Sequence, residues 1–356
     1  MGKKIREFMT HREPPEHIWM EREETAVIGT ARMGQRMVPK IRPFDLLRST
    51  PLTGNRARAM VFEGDSLRVA TEYLAGRETQ LTRAADHDLV YLQFSGRSKI
   101  ESESGVIELL PGEIALVPAA ISHRSTGTDE CLRVRVATQE FVTEGVDPEK
   151  PMMQRSFTVR ASEPMIAGNG HKADGPEAGP ILEHISFWEP QSDLWVERDV
   201  AALIGCKREG GRIVRKLSAF NYFTGMTGKG GARAPVLYNG KEFRVDVYNL
   251  EEEQNGFHRG CDEDEIWFQF RGRSLNHTEW GALELDPGQM SYIPRGVAHR
   301  ITGSPGFLRM ISPSRLPAGG FQLSVIFSRD RIVENRPNAR RLGDFGKLRP
   351  RRHFLA

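Results

Sequence analysis

The chain has 356 residues, with 50 Lys and Arg against 47 Asp and Glu, a formal net charge of +3, and a hydrophobic fraction of 38%. That length accommodates two domains of ordinary size, each burying its own core. No apolar run approaches the roughly 18 residues needed to span a bilayer, and the start MGKKIREFMTHREPPEH sets no apolar stretch behind its basic residues, which argues against a secretory signal and a membrane partner.

Residues 1–59 have no partner elsewhere in the chain and read as an N-terminal arm that crosses to another domain, with a short helix near Pro43 to Arg48. Residues 60–145 read as a first domain. In it VYLQFSG (90–96), GVIELL (105–110) and EIALVPA (113–119) alternate or run in short β-branched stretches, punctuated by Gly and by Pro111-Gly112. This is strand patterning broken by turns. Residues 146–235 are rich in Gly and Pro (AGNGHKADGPEAGP, GMTGKGGARAP) and read as a linker with additional strands that extend the second sheet, with a short helix expected over 200–207. Residues 236–328 form a second domain with the strands IWFQFRG, GALELD and QMSYIPR. Many short strands at regular spacing predict an all-β chain of jelly-roll or β-sandwich type.

Residues 329–356 form an Arg-rich tail holding eight arginines. No aromatic or groove-reading motif accompanies that charge, so it reads as an arm packing on a neighbouring domain or subunit rather than on nucleic acid. Cys131, Cys206 and Cys261 are odd in number and show no CxxC spacing. That argues against a disulfide framework and fits a cytoplasmic location.

The two domains are one sequence written twice. Gly64 to Gly127 and Gly240 to Gly303 align without a gap at an offset of 176, and 14 of the 32 pairs from Gly96 and Gly272 onward are identical. A duplication lets each copy serve as the control for the other. The second copy has His258, Glu265 and His299 where the first has Thr82, Leu89 and His123. Two imidazoles and one carboxylate from separate strands leave three coordination positions open, the set that suits non-haem Fe(II). A closed zinc site would want four ligands, typically with Cys, and Cys261 stands too near His258 on an extended strand to complete one. Within Asp262-Glu263-Asp264-Glu265 the repeat alignment favours Glu265 as the carboxylate, with Asp264 the alternative. The metal set is therefore His258, Glu265 and His299, which would also be the catalytic residues. His87 and His277 have no partner in the other copy and are expected at the surface, and Arg300, shared with Arg124, is expected to be structural.

Two blocks of the second copy carry a resemblance. FHRGCDEDEIWFQFRG, ending at Gly272, and Gly288, Pro294, Gly296 and His299 in the order G-x5-P-x-G-x2-H resemble the paired motifs of the cupin superfamily. His258, Glu265 and Gly272 match the first motif, and Gly260 stands where many cupins place a second histidine. A live site in the second half only, with the string HRGC at His258, resembles homogentisate dioxygenase-like ring-cleaving enzymes. The resemblance implies two tandem cupin domains, the first with a degenerate metal site. It implies an Fe(II)-dependent dioxygenase that cleaves the ring of a phenolic or dihydroxylated aromatic acid with O2, and a homo-oligomeric state. Cupins also hold Mn, Ni or Zn in isomerases, lyases and decarboxylases, and others bind ligands without catalysis, so those readings stay open. Arg244, Arg259 and Arg295 are candidates to anchor a substrate carboxylate through a guanidinium fork, and Phe257, Trp267 and Tyr292 are candidates to line the pocket.

Overall fold

A computed structural model describes residues 4–11, 16–23, 40–64, 66–102, 105–139, 143–144, 163–164, 180–188, 192–199, 214–218, 236–239, 244–248, 256–279, 281–303 and 307–312. The Arg-rich tail, Cys206 and the helix expected over 200–207 lie outside them. Within them the chain is built of strands, with a single turn-rich 3-10 helix, Pro43–Ser49, where a short helix was expected. Among the described residues no helix is long and apolar enough to cross a membrane.

The backbone repeats the duplication in detail. Gly96, Gly105 and Gly112 have φ of 64°, 122° and 88°, and their counterparts Gly272, Gly281 and Gly288 have 66°, 129° and 83°. The Pro-Gly turns need that left-handed backbone at Gly112 and Gly288, where a Cβ is penalised. At Gly288 space is short as well, because a Cβ would lie 3.0 Å from Phe94 Cζ of the first copy. Side chains repeat too: Ser98 donates to Gln93 at 2.7 Å, as Ser274 does to Gln269 at 2.7 Å.

Sheet composition is where the copies part. In the first copy Asp88–Ser102 pairs with His123–Thr138 along nearly its whole length, as part of an 11-stranded sheet. In the second, the same paths are split into Asp264–Gln269 and Ser274–Thr278, and into His299–Gly303 and Phe307–Ser312. Those halves belong to a 7-stranded and a 6-stranded sheet. The N-terminal strand Lys4–His11 pairs with Glu16–Glu23 and runs parallel to Gly256–Gly260, while Lys40–Ile41 pairs with Met290–Ile293. The first 59 residues also supply the start of strand Arg56–Glu63, which pairs with Leu67–Leu74.

One expectation is corrected. The described strands between the copies, Pro180–Phe187 and Arg215–Ser218, join the first copy's sheet rather than the second's. They pair with Leu81–Ala84 and Glu113–Val117, strands of the first copy whose exposed hydrogen-bonding edges they satisfy.

Strand alternation divides each copy into two faces. Val90 and Leu92 look one way, into a cluster shared with the other copy, while Leu89 and Tyr91 look into the first copy's own core. The shared cluster is built from equivalent residues: Val69, Val90, Leu92 and Ile114 meet Val245, Ile266, Phe268 and Met290, position for position in the repeat. The copies thus pack through the same face used twice, as in an isologous interface. Phe268 is fully buried there, edge-on to Phe44 and Phe94. Phe268→Ala is expected to lower unfolding free energy by about 3–5 kcal/mol, read from the midpoint of urea denaturation.

Candidate metal centre

The face of the second copy turned away from the shared cluster carries the chemistry. His258, on Gly256–Gly260, and His299, on His299–Gly303, are directly opposed across an antiparallel bridge. Glu265 stands on Asp264–Gln269 in a different sheet. His258 Nδ1 lies 3.3 Å from His299 Nε2 and 3.3 Å from Glu265 Oε1, and His299 Nε2 lies 3.4 Å from Glu265 Oε2. These three are the one group of His, Cys, Asp and Glu among the described residues whose ligand atoms converge, all within 4.8 Å of one another. Two donors each about 2.1 Å from a shared ion, at a right angle, stand about 3 Å apart, so the spacing fits a metal ion with little adjustment. His258 has 18% of its side chain exposed, against 1% for Glu265 and 2% for His299, so the cluster opens to solvent on the His258 side.

Neighbours hold these groups in place. His299 Nδ1 lies 3.0 Å from the Val297 carbonyl; donating its proton there leaves the Nε2 lone pair facing the cluster, the tautomer a ligand needs. Trp267 Nε1 donates to Glu265 Oε2 at 2.7 Å, and its ring stands edge-on to His299 at 5.1 Å. Asp264, the alternative carboxylate, is engaged elsewhere: its Oδ1 accepts the Arg295 backbone N–H at 2.7 Å. Asp88 does the same for Ala119 at 2.8 Å in the copy without the cluster, so this aspartate belongs to the repeated scaffold.

The candidates for substrate contact divide. Trp267 borders the cluster. Arg244 shares a row with Glu265, since both are register partners of Ile311, and paired residues project from one face of a sheet. Four others are drawn into the scaffold. Phe257 alternates away from His258 and packs with Ile5 and Ala298; Tyr292 sits in the cluster between the copies, 5.9 Å from the Phe62 ring. Arg259 also points away from His258, where it pairs with Glu7 at 2.6 Å and Glu279 at 3.2 Å. Arg295 pairs with Asp264 at 3.3 Å. His87, expected at the surface, is buried against Trp188, because Pro180–Phe187 and Trp188 cover that end of the first copy.

Two residues join the site that patterning alone passed over. Phe8, the register partner of His258 on the N-terminal strand, places its ring 6.1 Å from the imidazole and packs tilted against Trp19 at 4.5 Å. Asn276 lies on the same face as His299, one row along, and is fully buried with neither amide atom hydrogen-bonded. Its counterpart in the first copy is Ile100, so comparing the copies would have exposed it.

The equivalent position in the first copy is closed by other means. Leu89 replaces the carboxylate, Thr82 accepts from Arg56 at 3.4 Å, and the Tyr91 hydroxyl reaches His123 Nε2 at 2.9 Å. Burial, reinforced by the charges of Arg133 and Arg135, pushes the His123 imidazole down to about 3.

No family model matches the chain. Among solved structures it is similar to a cupin 2 conserved barrel domain protein from Leptotrichia buccalis, with TM-score 0.45, 10% identity, and coverage of 79% of this chain and 99% of that one. It is similar to an oxalate decarboxylase variant from Bacillus subtilis, with TM-score 0.46, 10% identity, and coverage of 80% and 79%. A third likeness is AerE from Microcystis aeruginosa, with TM-score 0.40, 11% identity, and coverage of 74% and 98%.

The buried His123 sets an acid limit on stability. The unfolded chain takes up a proton below about pH 6.5, whereas the folded imidazole stays neutral to about 3. Its contribution is therefore present above pH 6.5 and lost as pH falls through that window. In His123→Gln, which keeps a partner for Tyr91 without titrating, the loss of stability between pH 6 and 4 should be shallower than in the wild type, by up to about 1.4 kcal/mol per pH unit. Urea midpoints measured against pH check this.

Proposed function

We propose that the second copy is a cupin-type metal centre with His258, Glu265 and His299 as ligands, and that it serves a non-haem Fe(II) dioxygenase opening the ring of a phenolic or dihydroxylated aromatic acid. The observation that supports this reading is the convergence of two imidazole nitrogens and one carboxylate at 3.3–3.4 Å, from three strands, in one copy of a duplicated fold. Two His and one carboxylate are the donor set of non-haem iron oxygenases, and the open side leaves room for substrate.

Ferrous iron, held by His258, Glu265 and His299, would supply the capacity to bind a phenol oxygen and O2 and would lower the phenol pKa toward neutrality. The rest is done by this chain's residues. Trp267 holds the Glu265 carboxylate by its indole N–H, and Val297 fixes the His299 tautomer. The Asn276 amide, unsatisfied and buried, takes a hydroxyl or carbonyl of the substrate, since a buried amide left unpaired costs about 1–3 kcal/mol. Arg244, in the row of Glu265, is the cation best placed for the substrate acid. Phe8 flanks His258 and offers an aromatic ring a stacking surface while keeping bulk water from the open side.

The test is O2 uptake by the chain purified without oxygen, loaded with Fe(II), and offered phenolic acids, hydroquinones and catechols. Iron-dependent uptake with a ring-opened chromophore is expected, lost in His258→Ala and Glu265→Ala and retained in Asp264→Asn. Asn276→Leu is expected to lower kcat/KM by about tenfold or more, the loss of one buried hydrogen bond. Turnover only with Mn, Ni or Zn and without O2 would instead make the centre a non-oxidative isomerase, lyase or decarboxylase.

A further inference from the structure

The inner face of the first copy, which has no metal ligand set, holds an unbalanced group of charges. Arg58 pairs with Glu72 at 2.6 Å, Arg133 with the same carboxylate at 2.6 Å, and Arg56 with Glu78 at 2.7 Å. Arg135 adds a fourth guanidinium, and among the described residues no carboxylate pairs with it. With Arg68, which lies on the same face and pairs with Glu63 at 3.1 Å, five cations thus face three anions on strands Arg56–Glu63, Leu67–Leu74 and His123–Thr138 and on the adjoining Glu78.

Register places these groups together. Arg58, Glu72, Arg133 and Gln93 form one row across four strands, and Ala70, Arg135 and Tyr91 form the next on the same face. Arg133 is completely buried with its guanidinium 4.1 Å above the Tyr91 ring, and Arg135 is 6% exposed. Three donors, Arg58 Nη2, Arg133 Nη2 and Arg135 Nε, are buried with no hydrogen-bond partner. Buried charge without a partner is strongly disfavoured, and Arg135 shows it: burial and then the Arg58 charge push it down to about 10. Arg58, on the outermost of these strands, has 25% of its side chain exposed.

The group is not repeated as a whole. Where the first copy has Arg56, Arg58, Glu72 and Arg133 the second has Ala232, Ala234, Tyr248 and Phe307, although Arg309 stands at the register position of Arg135, across the ladder from Asp246 rather than Ala70. The full set of charges is therefore not needed to build the fold.

We propose that the inner face of the first copy binds a small organic acid, whose carboxylate is held by the unengaged donors of Arg135, Arg133 and Arg58. A carboxylate supplies the missing negative charge and matches the guanidinium fork. The same face also carries Leu89, Tyr91 and Ala137, apolar surface that favours a carbon-bearing acid over an inorganic ion. This site is separate from the metal centre and does not depend on it.

Calorimetric titration of the metal-stripped full-length chain with acetate, succinate and benzoate, against chloride and inorganic phosphate at equal ionic strength, tests it. At least one of the acids should bind at a single site per chain. Arg135→Met should weaken that binding by about tenfold or more, as expected for one lost charged hydrogen bond, without lowering the melting temperature of the ligand-free protein. Ala70→Asp, which places a carboxylate directly across the ladder from Arg135, should also abolish binding by supplying the counter-ion internally. His258→Ala should bind the acid as the wild type does. Absence of binding by all three acids, a response to phosphate alone, binding unchanged in both Arg135→Met and Ala70→Asp, or loss in His258→Ala would each overturn the proposal.

Discussion

The apolar face that the two copies share determines where everything else can go. Val69, Val90, Leu92 and Ile114 pack against their own equivalents Val245, Ile266, Phe268 and Met290. Burial of each such side chain contributes about 1.5–3 kcal/mol, so the face holds the two halves together strongly. Because successive residues on a strand face opposite ways, committing one face to this contact commits the other to each copy's interior. Leu89 and Glu265 then occupy equivalent inner positions, as do Tyr91 and Trp267.

The same backbone consequently presents two chemistries. In the second copy the inner face gathers two histidines and a glutamate, stiffened by Trp267 and the Val297 carbonyl. In the first, a surviving histidine is tied to Tyr91, and other inner positions carry arginines in excess of glutamates. Duplication permits this division, since one copy can lose its metal set without the fold losing its turns or its shared core. The turns at Gly112 and Gly288 and the aspartates at 88 and 264 stayed in both.

Much of this was legible in the residues because the repeat is its own alignment. The 176-residue offset identified both copies, the strands between their Pro-Gly turns, and the asymmetry of His258 and Glu265. Periodicity could not tell which face of a strand is inner, and for that reason Phe257, Tyr292 and Arg259 read as site residues when they face the scaffold. Long-range pairing was equally hidden. Nothing local in Lys4–His11 indicates that it lies parallel to Gly256–Gly260 and brings Phe8 to His258, and nothing in Pro180–Phe187 says that it joins the first copy's sheet. The arginines of the first copy were readable as residues, but their excess over nearby carboxylates emerges only once register puts them on one face.

Whether the second copy alone holds a metal ion, as proposed, is read by anomalous diffraction at the iron edge from crystals of the Fe(II)-loaded chain. A single peak per chain is expected, bounded by His258, Glu265 and His299, with none in the first copy. A peak at Asp264 or beside His123, or no iron retained by a folded chain, would contradict it.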